Sequence, residues 1–191
     1  MRRIKNRFIL LLLLCCCYEK SLAQNKKQVD SLLSVLKNAK EDTNKVNTLN
    51  LLSSQLWRTT NSPQGMKYAE EAIILAKRLH FKRGMATSNG NIGLYYYFNG
   101  NYSEALNNYF IALKLAEEIG NKQEIHNCYR RIGVINEEQG NYSEAMKNFF
   151  AALKIAEELR DKHGIAACYN NIGLIYRDQS EIGRASCRER V

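Results

Sequence analysis

GNYSEA spans Gly140 to Ala145 and, 40 residues earlier, Gly100 to Ala105. The same period carries other letters. Asn91-Ile92-Gly93-Leu94 returns as Arg131-Ile132-Gly133-Val134 and again as Asn171-Ile172-Gly173-Leu174. Ala105, Ala112 and Ala116 return as Ala145, Ala152 and Ala156. A fixed period of this size marks an array of supersecondary units that bury their apolar faces against one another.

Each unit reads as two helices. Over 122–160, Ile125, Cys128, Tyr129, Ile132 and Ile135 recur at steps of three and four, which is one helical stripe. Gly140 supplies a residue able to take the left-handed conformation that ends a helix. Asn141 stands three residues before Glu144, an arrangement that opens the next helix as a capping box. Ala145, Phe149, Ala152, Leu153 and Ala156 continue the apolar face, and Asn121 and Asp161 stand where first helices begin, as N-caps. GNYSEA is therefore a corner. Gly93, Gly133 and Gly173 fall inside helices, where glycine costs about 0.5–1 kcal/mol against alanine. The compensation expected is close approach of the partner helix.

These residues resemble the tetratricopeptide repeat, whose pattern is W-x2-L-G-x2-Y followed by A-x3-F and a later Ala. The chain has Tyr129-x2-Ile132-Gly133, then Ala145-x3-Phe149 and Ala152. It also has Tyr169-x2-Ile172-Gly173-x2-Tyr176, and Ile92-Gly93-x2-Tyr96 leading to Ala105-x3-Tyr109 and Ala112. Asn89 and Asn136 replace aromatic residues, the period is 40 rather than the family's usual length, and the late proline is missing. The match is similar to the long-helix subclass found in bacterial sensor proteins and kinesin light chains. It continues upstream more weakly: Ala72, Leu75 and Ala76 keep register, Ser53 replaces the packing glycine, Thr60 replaces the corner glycine, and Ser62-Pro63 starts a helix. The resemblance implies an all-α fold, an array of antiparallel helix hairpins wound as a right-handed α-solenoid.

Working outward, Met1–Ala23 reads as an export signal. MRRIKNR is basic, FILLLLLCCC (Phe8–Cys17) is apolar, and Ser21-Leu22-Ala23 offers small residues for cleavage after Ala23. The alternatives are a retained anchor and a lipoprotein. Residues 24–42 form a capping helix with Val29, Leu32, Leu33 and Leu36 on one face. The array occupies 43–180, with units at 43–81, 82–120 and 122–160 and an incomplete one at 162–180. After Gln179 the pattern stops. Glu181–Val191, EIGRASCRERV, resembles the translation of a widely used sequencing adapter, so it is expected to be non-native and the gene to run on. The helix before it should then leave Tyr169, Ile172 and Tyr176 uncovered, exposing a face able to associate.

The net charge of +9 lies mainly in the two ends, since residues 24–180 hold 20 basic and 16 acidic side chains. That balance, without clustered basic recognition chemistry, argues against a nucleic-acid partner. Of six cysteines only Cys128 and Cys168 fall in the array. One repeat apart, they are too distant for a disulfide and should be free, buried thiols. No metal or cofactor motif and no nucleophile, base or phosphate-loop signature appears. His80, His126 and His163 read as solvated, and Glu117-Glu118 and Glu157-Glu158 as solvated faces bridging Lys114 or Lys154. No catalytic residue is assigned.

Binding remains. In tetratricopeptide arrays the first helices line a groove, and the resemblance implies a protein or peptide partner there. The matching positions are Asn91, Leu94 and Tyr97, then Arg130, Arg131, Val134 and Glu137, then Asn170, Asn171, Leu174 and Arg177. Of the run Tyr95-Tyr96-Tyr97-Phe98, Tyr96 is expected to be buried. The reading is an exported interaction module, the N-terminal sensory region of a longer bacterial signalling protein ending in a kinase, cyclase or regulator. The alternatives are a free-standing periplasmic scaffold and an accessory domain of an enzyme. In each setting a membrane is involved only through the signal or a downstream span.

Overall fold

The computed structural model describes the backbone of residues 26–60 and 63–188, and side chains over 26–57 and 63–180. The segment read as an export signal, 1–23, and the side chains of the adapter-like tail lie outside the described residues. Every described element is helical. A first helix, α1, covers 26–37. Then follow α2 (Thr43–Thr60), α3 (Pro63–Arg78), α4 (Lys82–Phe98), α5 (Tyr102–Glu118), α6 (Lys122–Glu138), α7 (Tyr142–Glu158) and α8 (Lys162–Arg188). Val29, Leu32 and Leu33 of α1 are half-buried, and Leu36 packs on the core of α2 and α3.

The corners recur every 20 residues, twice as often as the sequence motif. His80, Gly100, Gly120, Gly140 and Arg160 all have positive φ, between 51° and 75°. Each is followed by a residue whose N–H reaches back five residues to a helix carbonyl: Phe81 to Ala76, Asn101 to Tyr96, Asn121 to Ala116, Asn141 to Asn136 and Asp161 to Ala156, at 2.8–2.9 Å. That bond, with the N–H of the left-handed residue bonded three residues back, closes a helix end in the Schellman manner. The residue that closes one helix is also the N-cap of the next, so two helices meet without a linker. Asn101 and Asn121 accept from the N–H of Glu104 and Glu124 at 3.3 Å. Asn141 occupies the same place but makes no side-chain cap bond, so the expected capping box is not formed there. Ser180 stands where the next corner would fall, and α8 runs straight through it.

Consecutive helices pack as antiparallel neighbours from α2 to α8, and α2 also touches α4, α4 touches α6 and α6 touches α8. The second helices α3, α5 and α7 have no such contacts among the described residues. First helices closer together than second helices bend the array, with the first helices on the inner side. This is the all-α hairpin array the sequence predicts.

The glycines inside helices do what the repeat requires. A Cβ on Gly93 would stand 2.6 Å from Tyr109 Cε1, and one on Gly133 would stand 2.6 Å from Phe149 Cε1. Around each slot lies a small core: Ala105, Tyr109, Ala112, Cys128, Ile132 and Ile135 in one, Ala145, Phe149, Ala152, Cys168, Ile172 and Ile175 in the next. Fully burying a side chain of this kind stabilises by about 1.5–3 kcal/mol. Cys128 and Cys168 are free and buried, as expected.

Several side chains depart from expectation. His126 is 3% exposed, with Nδ1 3.0 Å from the Ala152 carbonyl oxygen, so it is a core residue that ties α6 to α7 and not a solvated one. Glu118 and Glu158 pair across the hairpin with Lys82 and Lys122, at 3.0 and 2.9 Å, and not with Lys114 and Lys154. Those lysines hold both carboxyls below their ordinary range, although such exposed pairs contribute little to stability. Ile172 is buried against α7 and Tyr96 is only half-buried. Tyr169 and Tyr176 are exposed, as the missing cover implies.

Candidate functional site

The inner face is built on a ladder of polar side chains between successive first helices. Asn91 Nδ2 donates to the Asn50 carbonyl at 3.0 Å, and Arg131 Nη1 donates to the Gly90 carbonyl at 3.2 Å. Both bonds reach back 41 residues, one period plus one. Helix carbonyls keep a spare lone pair, so each rung joins two helices without breaking either one's own bonds. The first rung is reinforced below by Ser88 Oγ, which donates to Asn50 Oδ1 at 3.0 Å, and by Asn50 Nδ2, which donates to the Gly84 carbonyl at 3.3 Å. At the third rung Asn171 Nδ2 is buried with no partner.

Above the ladder lie two neighbouring hollows. The first, of about 440 Å³, is lined by Asn91, Leu94, Tyr97 and Phe98 of α4, Arg130, Arg131 and Val134 of α6, Tyr109 of α5 and Ser54 of α2. The period of 40 brings these together: residues at matching places on α4 and α6 project to the same side. Arg131 is held over the Tyr109 ring, 5.6 Å from its centroid, within cation–π range. Burial, and then the neighbouring Arg131, holds the Arg130 guanidinium below its ordinary pKa. The phenol of Tyr97 donates to Glu138 Oε1 at 3.3 Å, and its ring meets Phe98 edge-on at 5.3 Å. Burial and Glu138 push that phenol up, and burial pushes Tyr109 to about 12.

The second hollow, of about 430 Å³, shares Val134 with the first and adds Glu137, Glu138, Asn171, Leu174 and Asp178. Burial first, then Asp178 and Glu138, raises the Glu137 carboxyl above its ordinary range. The inner face is thus positive at one hollow and negative at the other.

Of the groove residues read from the sequence, Asn91, Leu94, Tyr97, Arg130, Arg131 and Val134 converge on the first hollow, and Val134, Glu137, Asn171 and Leu174 on the second. Asn91 is 4% exposed and its amide nitrogen is committed to Asn50, so its chief work is structural. Asn170 is exposed and lines neither hollow. Arg177 is exposed, with Nε and Nη2 donating to Asp178 Oδ1 at 3.0 and 2.9 Å. Sequence reasoning passed over Ser54, Phe98, Tyr109, Glu138 and Asp178. The period itself could have found Asp178, which stands 40 residues after Glu138. Among the described residues no cluster of His, Cys, Asp and Glu is arranged to hold a metal ion, and no helix is long and apolar enough to cross a membrane. The arrangement suits binding by charge, apolar contact and ring faces.

The tetratricopeptide repeat family profile matches residues 85–158. No curated protein matches the chain by sequence. Solved structures share the fold. BtubC (BKLC) from P. vanneervenii superposes with a TM-score of 0.66 at 16% identity, over 88% of this chain and 70% of that one. Aspartyl phosphate phosphatase F from Bacillus subtilis superposes with a TM-score of 0.71 at 17% identity, over 85% of this chain. The chain spans 46% of that second protein's length.

Proposed function

We propose, from the premise that this is a tetratricopeptide repeat protein, that its inner groove holds an extended segment of a protein partner. Arrays of this family are protein–protein interaction modules, and the chain acts by holding its partner rather than by chemistry of its own. One observation carries the reading. Leu94 and Tyr97 of α4 meet Arg130, Arg131 and Val134 of α6 around a single hollow of about 440 Å³. An apolar wall, an aromatic edge and two guanidinium groups in one concavity suit a peptide better than a flat protein face.

The finer setting in our reading is the exported sensory region of a longer signalling protein. The basic, apolar and small-residue order of Met1–Ala23 supports export. The uncovered face of α8, where Gly173 meets nothing within 4 Å, supports a continuing array. Fusing residues 1–30 to a reporter active only outside the cytoplasm tests export, and a silent fusion removes it. The reading frame downstream of Ser180 tests the setting: a membrane span and a kinase, cyclase or regulator should follow.

The groove is tested by panning a displayed library of random peptides against the folded chain. Enriched peptides should lose binding to Arg130→Glu while its helical circular dichroism is unchanged. Binders indifferent to Arg130→Glu, or no binders, would sink the groove.

A further inference from the structure

The two hollows differ in sign, and the groove's own side chains neutralise neither fully. Arg130 and Arg131 make no ion pair among the described residues, and neither does Glu137. In the acidic hollow Glu138 takes the Tyr97 phenol and Asp178 takes Arg177. That leaves three carboxylates facing one guanidinium there, and two guanidinium groups next door. The carboxylate beside them, Glu124, shares the space over Gly90 with Arg131 but lines neither hollow and makes no ion pair with Arg131. Each end holds like charges close together, a cost that a ligand of the opposite sign relieves. Burial of Arg130 and Glu137 works in the same direction, since each is displaced toward its neutral form.

Spacing then sets the ligand. Arg130 and Glu137 are seven residues apart on α6. Seven residues are two turns, so both face the same way, about 10.5 Å apart along the axis. A chain extended as a polyproline II helix covers about 9.3 Å in three residues, at about 3.1 Å each, and returns its side chain to the same face every third residue. Between them Val134 belongs to both hollows.

We infer that the groove's occupant is a peptide segment extended as a polyproline II helix, bearing an acidic and a basic side chain about three residues apart, the acid on Arg130 and Arg131 and the base on Glu137. This rests on the groove reading above and narrows it. A uniformly acidic segment or a nucleic-acid strand fits one hollow and is repelled by the other; a uniformly basic segment meets the reverse problem.

The test uses the full chain and short labelled peptides of extended character, read by fluorescence anisotropy. Four carry Glu-x-x-Lys, Lys-x-x-Glu, Glu-x-x-Glu or Lys-x-x-Lys in one background. The better of the two mixed peptides should bind about tenfold tighter than either like-charged one, and the margin should shrink as salt is raised. Arg130→Glu should abolish the advantage of the peptide's Glu while its Lys still matters. Glu137→Gln should do the converse, which closes a double-mutant cycle at each end. If Arg130→Glu does not fold, Arg130→Gln replaces it with the same expectation. Equal binding of all four peptides, or an order the variants leave unchanged, would overturn the charge pairing, and the groove stands in either case only if Arg130→Glu still weakens every peptide. Failure of every peptide, together with an empty library selection, would overturn both.

Discussion

Gly133 and Gly173 are the same letter at the same place in successive repeats, and their surroundings are opposite. A side chain on Gly133 would collide with the Phe149 ring at 2.6 Å, whereas one on Gly173 would meet nothing within 4 Å. The helices carrying them are equally regular. What differs is the cover: α7 lies across α6, and among the described residues no second helix lies across α8. Tyr169 and Tyr176 are accordingly 56% and 59% exposed, while Tyr129, one repeat before Tyr169, is half-buried. A packing glycine therefore has its meaning from the ring opposite. The first unit makes the same point in reverse. There Ser53 fills the glycine slot, and the position matching Tyr109 and Phe149 is Ala69, both fully buried. Bulk has moved from one helix to the other, as close packing demands when one partner grows.

The sharpest way to break this comparison is to move the bulk deliberately. Phe149→Ala should cost about 3–5 kcal/mol in chemical denaturation, because the slot becomes a void. Gly133→Leu should cost about 3 kcal/mol by forcing the ring aside. The double variant, which imitates the division of bulk at Ser53 and Ala69, should cost well below the sum of the two. Additive losses would show that Gly133 and Phe149 do not share one space. Gly173→Leu should do the opposite of its counterpart and stabilise α8 by roughly 0.5–1 kcal/mol, the helix preference of Leu over Gly. A loss there comparable to that of Gly133→Leu would mean that something does cover α8.

Two thiols sharpen the same contrast. Cys128 and Cys168 are one repeat apart and both closed to solvent. Burial pushes the Cys128 thiol to about 12 and raises Cys168 as well. Neither should form thiolate at neutral pH, so alkylation has to wait for local opening. With one side of its helix uncovered, Cys168 should open more easily. Peptide-resolved mass spectrometry of a maleimide time course should find it labelled about tenfold faster, equivalent to about 1.4 kcal/mol in opening free energy. Equal rates would place both helices in one cooperative unit.

The repeat made the helices, their pairing and the packing glycines legible, because each leaves a letter at a fixed spacing. What escaped is what leaves none. His126 looked like a surface residue because its one partner is a backbone carbonyl on the next helix, Ala152. Asn91 and Arg131 looked like groove chemistry, yet their first commitment is to the Asn50 and Gly90 carbonyls of the preceding first helix. Any polar side chain of suitable length can make that bond, so Asn and Arg alternate at one position and the rung is invisible in the sequence. The groove's two-signed character was missed because Glu138 and Asp178 lie at the ends of their helices' repeat motifs, beyond the letters that define the unit.

The corners carry the same lesson with the smallest expected effect. Five residues at 20-residue spacing take the left-handed conformation, yet only three are glycine; His80 and Arg160 hold φ of 51° and 54° with full side chains. For an L-residue that conformation costs about 1–2 kcal/mol, and glycine avoids it. Against this, glycine has more freedom to lose on folding, about 0.5–1 kcal/mol. The steric saving exceeds the entropic loss, so Arg160→Gly should stabilise by roughly 0.5–1 kcal/mol. In a chain of this size that raises the melting midpoint by about 1–4 °C. The exposed Arg160 makes no ion pair among the described residues that would offset the gain. His80→Gly should behave in the same way at the α3–α4 corner. A fall in the midpoint for both would mean that these two corners are held by contacts of their side chains rather than by the backbone turn they share with Gly100, Gly120 and Gly140.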